Sequence, residues 1–157
     1  MFLGIDLGSS SIKLSLYDPI KGTTVGSISH PKIEMGITSP KSGWAEQNPE
    51  DWWEKFLEAY EILIKQKTID TKIILGIGIS YQMHGLVVVD KMKKLLRPSI
   101  IWCDSRAVDL GEKAFRSIGQ NYCLTHLLNS PGNFTASKLA WVKTNEPEIF
   151  DQIYKIM

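Results

Sequence analysis

Cysteine is scarce in this sequence, and long apolar runs are absent from it. The two cysteines, Cys103 and Cys123, lie in unrelated contexts and form no C-x-x-C pair, which favours a reduced, intracellular protein. No apolar run approaches the roughly 18 residues that a membrane span needs. The first predicted strand starts at residue 2, so no signal peptide is expected. These absences predict a cytoplasmic protein.

The sequence also lacks an excess of positive over negative charge, or the reverse. Lys and Arg number 18 and Asp and Glu 17, for a net charge of +1, so bulk electrostatics favour neither a nucleic acid nor a membrane as partner. The sequence has no internal repeat, low-complexity tract or linker, and no G-x-x-x-x-G-K-[ST] phosphate loop. Its 157 residues, 43% of them hydrophobic, are enough for one globular domain with a core.

The opening stretch carries the first positive signal. Residues 2–17 contain two apolar runs, Phe2–Asp6 and Ser11–Tyr17, that meet at L-G-S-S. This pattern predicts a β-hairpin whose turn consists of glycine and small hydroxyl residues. Asp6 is an acid at the end of an apolar strand, where burial without a partner is costly.

Two interpretations of this turn are open from the residues alone. In the first, Gly8 lets a ligand approach the main chain, and Asp6 lies near a hydrated divalent cation. The hydroxyl and N–H groups of Ser9, Ser10 and Ser11 then converge on a phosphate. In the second, the turn is an ordinary solvent-exposed one. The pattern D-x-G-[ST]-[ST] is too short to decide between them.

The middle of the chain predicts a β–α–β crossover. Asn48 and Pro49, followed by two acids, are typical of a helix start, and the helical apolar spacing continues to about Lys67. The nearly unbroken apolar run Lys72–Ser80 is typical of a central strand buried on both faces. The residues that follow it, Y-Q-M-H-G at 81–85, stand where α/β sheets usually place ligands.

The remaining segments predict shorter elements. They are a third antiparallel strand at Thr24–Ser29, a hairpin of Leu86–Asp90 and Leu96–Trp102, a helix over Ser105–Ile118 ended by Gly119, a turn region over 121–134, short helices near Thr135–Lys143 and from Glu146, and a strand at Ile153–Met157. The last strand has no evident partner, so we expect the chain to end inside a larger fold.

Taken in order, these segments resemble the FGGY family of carbohydrate kinases, and within it the xylulokinases. The similar stretches are G-I-D-L-G-S-S-S-I-K at 4–13, G-W-A-E-Q-N-P-E-D-W-W at 43–53, G-I-G-I-S-Y-Q-M-H-G at 76–85, R-P-S-I-I-W-C-D-S-R at 97–106 and F-T-A-S-K-L-A-W-V-K-T-N-E-P-E-I-F at 134–150. No single stretch is specific, but together they cover nearly the whole chain.

This resemblance implies an α/β fold of the actin-like ATPase (ribonuclease H-like) type, a mixed sheet with antiparallel N-terminal strands and flanking helices. Residues 1–157 would form the N-terminal portion of the first of two domains that face each other across a cleft. The family's general-base aspartate, second phosphate motif and adenosine-binding motif would then lie beyond residue 157. We therefore expect these residues alone to be inactive.

The resemblance also implies roles for residues at the first turn. Asp6 would be the catalytic residue that helps to hold Mg²⁺ through water. The terminal phosphates of ATP would be lined by Gly8, Ser9, Ser10, Ser11 and Lys13. From the residues alone, Lys13 is equally an outward-facing strand residue.

For the sugar, the resemblance implies contacts from Met83 and His84, with Gln82 beside them. Trp102 either offers an apolar face to the sugar or packs in the core. Asp104 either binds sugar hydroxyls or pairs with Arg106 at a helix start.

The function implied is the phosphorylation of D-xylulose to D-xylulose 5-phosphate, with ATP and Mg²⁺ as cofactors. The alternatives are an FGGY kinase for ribulose, gluconate or glycerol, or a non-catalytic actin-like nucleotide-binding domain. The expected partners are the sugar and ATP. An apolar face left exposed where further strands would pack also favours self-association, so we include a homodimer among the expectations.

Overall fold

The computed structural model describes all 157 residues, which form eight β-strands, five α-helices and two 3₁₀ turns. The strands are β1 (Phe2–Leu7), β2 (Ile12–Asp18), β3 (Thr23–His30), β4 (Glu46–Gln47), β5 (Gly76–Tyr81), β6 (Val88–Val89), β7 (Ser99–Ile100) and β8 (Lys155–Ile156). The helices are α1 (Pro49–Lys67), α2 (Val108–Ile118), α3 (Gln120–His126), α4 (Thr135–Asn145) and α5 (Pro147–Phe150), and the 3₁₀ turns are Thr71–Ile73 and Pro131–Asn133.

The chain divides into two compact units. The first unit comprises Met1–Gly36 and Pro49–Gln82, and the second comprises Ile37–Asn48 and Met83–Met157. None of the helices combines the length and the apolar character that a membrane span requires.

A four-stranded mixed sheet in the order β3-β2-β1-β5 forms the first unit. The strands β1, β2 and β3 are antiparallel, and β5 runs parallel to β1 with Asp6 opposite Ser80. The predicted hairpin, third strand and crossover are therefore confirmed. Because β1 and β5 are parallel, their carboxyl ends meet at one edge of the sheet, which is where the predicted ligand residues follow them.

The two faces of this sheet differ in chemistry. Leu3, Ile12 and Leu14 are buried on the face that α1 covers through Ala59 and Leu63. The opposite face carries small and polar residues in register across the strands, namely Gly4, Asp6, Lys13, Ser15, Ser27, Ser29, Gly78 and Ser80. This alternation follows from the two-residue period of a strand.

The prediction that Lys72–Ser80 forms a central strand buried on both faces is wrong. Thr71–Ile73 is a 3₁₀ turn, and β5 is an edge strand of the sheet. The side chains of Ile77 and Ile79 are 62% and 66% exposed. An apolar composition indicates that a strand would be stable when buried. It does not show whether residues 1–157 contain the elements that would cover that strand.

The second unit is built from short strands and the helices α2 to α5. Its core contains Leu86, Val88, Ile100 and Val142, all buried. Helix α2 approaches the 3₁₀ turn at Pro131–Asn133 so closely that Gly111 faces the backbone of Gly132 with no room for a Cβ. Gly119, with a φ of 106°, ends α2 as predicted.

Three further predictions for the second unit need correction. The predicted turn region at 121–134 includes helix α3, and the predicted hairpin meets only through bridges such as Leu86 to Ile100. The terminal strand is not unpaired, because β8 pairs antiparallel with β6. Local patterns do not identify partners that lie far away along the chain, which is why β8 looked isolated.

Candidate functional site

The predicted phosphate turn connects β1 and β2 and is a tight bend. The N–H of Gly8 donates to the carbonyl of Ser11 over 3.2 Å, and the carbonyl of Ser10 accepts from the N–H of Met35 over 2.9 Å. A Cβ at Gly8 would lie 2.9 Å from the Ser11 carbonyl oxygen. Only glycine fits at this position without displacing the backbone. The absence of a side chain would also let a ligand approach the main chain closely.

Asp6 and Lys13 lie opposite each other next to this turn. The Nζ of Lys13 is 3.5 Å from Oδ2 of Asp6, and both side chains are exposed. They line an open groove of about 740 Å³ whose walls also include Ser15, Ser29 and Ser80. Lys13 therefore points to the polar face, where its charge is available to a bound anion.

The chemistry at Asp6 fits a magnesium ion that is held mainly by other groups. No three His, Cys, Asp or Glu side chains come together anywhere in the chain to form a protein-only metal site. Mg²⁺ usually takes one or two carboxylates and fills its other positions with water and substrate phosphates. One exposed carboxylate beside the predicted phosphate turn is consistent with that pattern.

Gln82 follows β5 at the same edge of the sheet. Its N–H donates to the carbonyl of Leu7 over 3.0 Å, which ties it to the end of β1. Its side-chain oxygen and nitrogen are buried, and neither has a protein hydrogen-bond partner. A buried amide without partners costs about 1–3 kcal/mol, so the side chain of Gln82 has unused hydrogen-bonding capacity at this edge of the sheet.

In the second unit, the Met83–His84 loop combines an exposed side chain, Met83, with a half-buried one, His84. Met83 is 58% exposed. His84 adopts a φ of 60°, an unusual value for a residue other than glycine. Its ring stacks on Phe134 with 4.7 Å between the centroids, and the next carbonyl, that of Gly85, accepts from Oγ1 of Thr135 over 2.9 Å.

Lys138 lies beneath this loop and was not identified from the sequence. Its Nζ donates to the carbonyl of His84 over 2.7 Å and to both the carbonyl and the side-chain oxygen of Asn133 over 2.9 Å. The residue is fully buried, and this burial lowers the pKa of Lys138 to about 8. Lysines in helices are usually exposed, and nothing in the sequence distinguishes Lys138 from an exposed one. The sequence therefore could not have identified Lys138 as a buried residue.

Trp102 is not part of the core, since it is 45% exposed. Its backbone carbonyl accepts a short hydrogen bond from the side-chain nitrogen of Asn133. The structure thus brings the predicted sugar residues His84 and Trp102 into one network through Asn133 and Lys138.

The carboxylate of Asp104 is fully buried, so the predicted direct contact with a sugar needs correction. It accepts hydrogen bonds from the N–H of Ala45 over 2.6 Å and from the Arg106 guanidinium over 2.7 and 3.0 Å. With these partners, Asp104 orders the turn that carries Trp102. The structural alternative, a pair with Arg106 at the helix start, is the one observed.

A buried ionic cluster supports this turn. Arg97 donates to Glu46 over 2.5 Å, and the Nη1 of Arg106 makes a 2.7 Å ionic contact with the same carboxylate without hydrogen-bond geometry. Glu146 lies 3.3 Å from Arg97. Burial lowers the pKa of Arg97, and the carboxylates of Glu146 and Glu46 oppose that shift.

The predicted site residues therefore lie in both units. Asp6, the turn 8–11, Lys13 and Gln82 belong to the first unit, and Met83, His84, Trp102 and Asp104 belong to the second. Each group is held by contacts within its own unit.

Comparison with known proteins identifies the family. The model of the FGGY family of carbohydrate kinases, N-terminal domain, matches residues 1–157. The chain belongs to the FGGY family. Within this family, the xylulose kinase of Escherichia coli K12 is 36% identical over 157 residues, which are 100% of this chain and 31% of that protein. The FGGY chain thus spans about a third of the length of the curated relatives that it matches.

Solved structures of FGGY proteins show the same fold. A xyloylose kinase from Brucella ovis matches with a TM-score of 0.87 and 35% identity, covering 99% of this chain and 32% of that one. A gluconate kinase from Lactobacillus acidophilus matches with a TM-score of 0.82 and 28% identity, covering 99% and 30%. These neighbours and the mixed sheet confirm the actin-like ATPase fold that the FGGY resemblance implied.

Proposed function

We propose that the complete gene product transfers the γ-phosphoryl group of ATP to the C5 hydroxyl of D-xylulose, giving D-xylulose 5-phosphate and ADP. The observation that carries this proposal is the Met83–His84 loop, whose backbone is held by Lys138, in a chain whose relatives include xylulose kinases. In the reaction, a bond forms between the sugar oxygen and the γ-phosphorus, and the bond from that phosphorus to the β–γ bridging oxygen breaks.

In this proposal the residues of the first unit bind and orient the phosphates. The N–H and hydroxyl groups of the turn 8–11 donate to phosphate oxygens, and Lys13 adds a positive charge. Magnesium, when bound, would neutralise charge on the β- and γ-phosphates, with Asp6 holding it through water. The side-chain amide of Gln82 is available to donate to a ligand and to accept from one.

The residues of the second unit orient the sugar. His84 offers a ring nitrogen to a hydroxyl, while Met83 and the indole of Trp102 offer apolar surface to the C–H faces. None of these residues is proposed as the base that accepts the hydroxyl proton, a role we assign to a group outside residues 1–157. Phosphoryl transfer depends mainly on positioning and electrostatic stabilisation, and in this proposal residues 1–157 supply part of each.

The test measures ATP turnover by the purified complete gene product with xylulose, ribulose, gluconate and glycerol. We expect the highest kcat/KM with xylulose, and a His84→Ala variant should lose roughly tenfold or more of it through KM. Turnover of another polyol without turnover of xylulose would replace the substrate. An absence of turnover with any polyol would favour a non-catalytic nucleotide-binding domain.

Gluconate is the second candidate substrate. The observation that favours it is the match to the gluconate kinase over 99% of the chain. A higher kcat/KM for gluconate than for xylulose in the same assay would select it.

A further inference from the structure

Lys138 is a fully buried lysine that the proposed phosphate and sugar contacts leave unused. Lysine is among the residue types that are least often buried, because removing an ammonium group from water is costly unless it is paired and hydrogen-bonded. A lysine in this position therefore needs an explanation in terms of its partners.

The partners of Lys138 match the donors of an ammonium group one to one. Its three N–H bonds meet three oxygens, the carbonyl of His84 at 2.7 Å and the carbonyl and Oδ1 of Asn133, each at 2.9 Å. None of these acceptors is a carboxylate, so Lys138 is not one half of an ordinary salt bridge. It bonds two separate backbone segments instead.

One of those segments is under conformational strain. His84 lies in the left-handed region, with a φ of 60°, which a residue with a Cβ adopts only where its surroundings hold it. Those surroundings all come from the start of α4 and the residue before it. Lys138 binds the His84 carbonyl, Phe134 stacks on the His84 ring, and Thr135 binds the Gly85 carbonyl.

The other segment leads to Trp102. Asn133 accepts from Lys138 through its Oδ1 and donates from its side-chain nitrogen to the Trp102 carbonyl. Both segments that carry predicted sugar residues are thus connected to a single ammonium group.

We propose that Lys138 is a positioning residue for the sugar, which holds the His84 carbonyl and Asn133 so that the Met83–His84 loop and the Trp102 turn keep their binding conformation. This inference rests on the proposed function in one respect, namely that these segments contact the sugar. Lys138 itself touches neither substrate in this proposal and acts through His84 and Asn133.

The charge on Lys138 provides a second way to test this role. The pKa of Lys138 is lowered to about 8, chiefly by burial and further by the Arg106 guanidinium, while negative charge on Asp104 and on the Cys103 sulfur opposes this shift. His84 faces Lys138 through its carbonyl, while its ring lies on Phe134. A neutral amine has two N–H donors for three acceptors, so one hydrogen bond is lost as the pH rises through the pKa.

The experiment compares Lys138→Met with Lys143→Met in the complete gene product. Lys143 lies on the same helix but is exposed, so it controls for the substitution itself. We expect Lys138→Met to raise the KM for the sugar on the order of tenfold or more, with kcat and the KM for ATP nearly unchanged. Hydrogen exchange at the amides of 83–86 should become faster in Lys138→Met and stay unchanged in Lys143→Met.

The hydrogen-exchange measurement separates the two proposals. If the protein phosphorylates no sugar but exchange at 83–86 becomes faster in Lys138→Met, the proposed function fails, while the finding that Lys138 holds the conformation of the Met83–His84 loop stands. A folded Lys138→Met variant with unchanged sugar KM and unchanged exchange would overturn the positioning role.

If Lys138→Met does not fold, the pH dependence of the sugar KM in the unmodified protein tests the positioning role instead. Its KM for the sugar should rise several-fold from about pH 7 to about pH 9.5, across the pKa of Lys138, while the KM for ATP stays nearly constant. A sugar KM that does not change over this range would overturn the proposal.

Discussion

The guanidinium carbon of Arg106 lies 3.8 Å from the centre of the Trp44 ring. Trp141 packs edge-on against Trp44 with 5.1 Å between their centroids, and Arg106 also pairs with the buried carboxylates of Asp104 and Glu46. A planar guanidinium can stack on Trp44 and donate more than one hydrogen bond to Asp104 at the same time, which a single ammonium group cannot reproduce. Arg106 is therefore the centre of the ionic cluster in the second unit.

Replacing Arg106 with Met should destabilise the protein severely. The free energy of unfolding should fall by about 3–5 kcal/mol, because Asp104 would remain buried without its cationic partner and Glu46 would keep only Arg97. Arg116→Met, at an exposed position on α2, should change it by less than about 0.5 kcal/mol. Urea unfolding of both variants measures the difference, and equal stabilities would show that the cluster contributes nothing.

Replacing Gly8 with Ala should distort the predicted phosphate turn. The new Cβ would lie 2.9 Å from the Ser11 carbonyl oxygen, so the backbone would have to shift, at a cost of about 1–3 kcal/mol. We expect a higher KM for ATP in the complete gene product, with little change in the KM for the sugar. Gly36→Ala is the matched control, since nothing lies within 4 Å of its Cβ position. Similar ATP kinetics in the two variants would contradict this account of the turn.

Replacing Asp6 with Asn should reduce activity without reducing stability. The Asp6–Lys13 pair is exposed at 3.5 Å, and such surface pairs contribute little to folding. We expect an unchanged thermal midpoint, a large loss of kcat/KM with Mg²⁺ and ATP, and a changed dependence of rate on Mg²⁺ concentration. An Asp6→Asn variant with the kinetics of the original protein would exclude Asp6 from the metal site.

The stability of the protein should rise with pH above about 8 because of Lys138. Its pKa is about 8 in the folded state and near 10.5 in the unfolded chain. Between these values the unfolded chain binds more protons than the folded state, so the free energy of unfolding rises with pH by up to about 3 kcal/mol. Below about pH 8 both states are protonated and the contribution is constant. The check is the difference between the original protein and Lys138→Met, measured by urea unfolding across this range, and the prediction fails if this difference does not depend on pH.

The exposed strand β5 should promote self-association of residues 1–157. Ile77 and Ile79 lie on an edge strand with most of their side-chain surface exposed, an arrangement that favours pairing between copies. Ile79→Lys should weaken the association, whereas Ile20→Lys, in a separate exposed turn, should leave it unchanged. Sedimentation measures the effect, and a chain that is monomeric at every concentration would refute it.

Local signals made the strands β1 to β3, helix α1 and the end of α2 predictable. Each of these elements is specified by residues close together in the chain. The signals are the alternation of apolar and polar residues in 2–17, the Asn48–Pro49 helix start and Gly119. The backbone conformation at these places therefore depends on neighbouring side chains. Placing Lys13 next to Asp6 also follows from the hairpin register, because the turn brings the two strands together.

By itself, the sequence determined the strands β1 to β3, helix α1 and the end of α2, and it determined which residues carry the family resemblance. Only the tertiary structure decided that Lys138 is buried under His84, that Asp104 is an interior anion, that β8 pairs with β6 and that β5 is exposed. The physical reason is separation along the chain. Lys138 and His84 are 54 residues apart, and a helical or strand period reports which face a residue occupies but not what packs against that face.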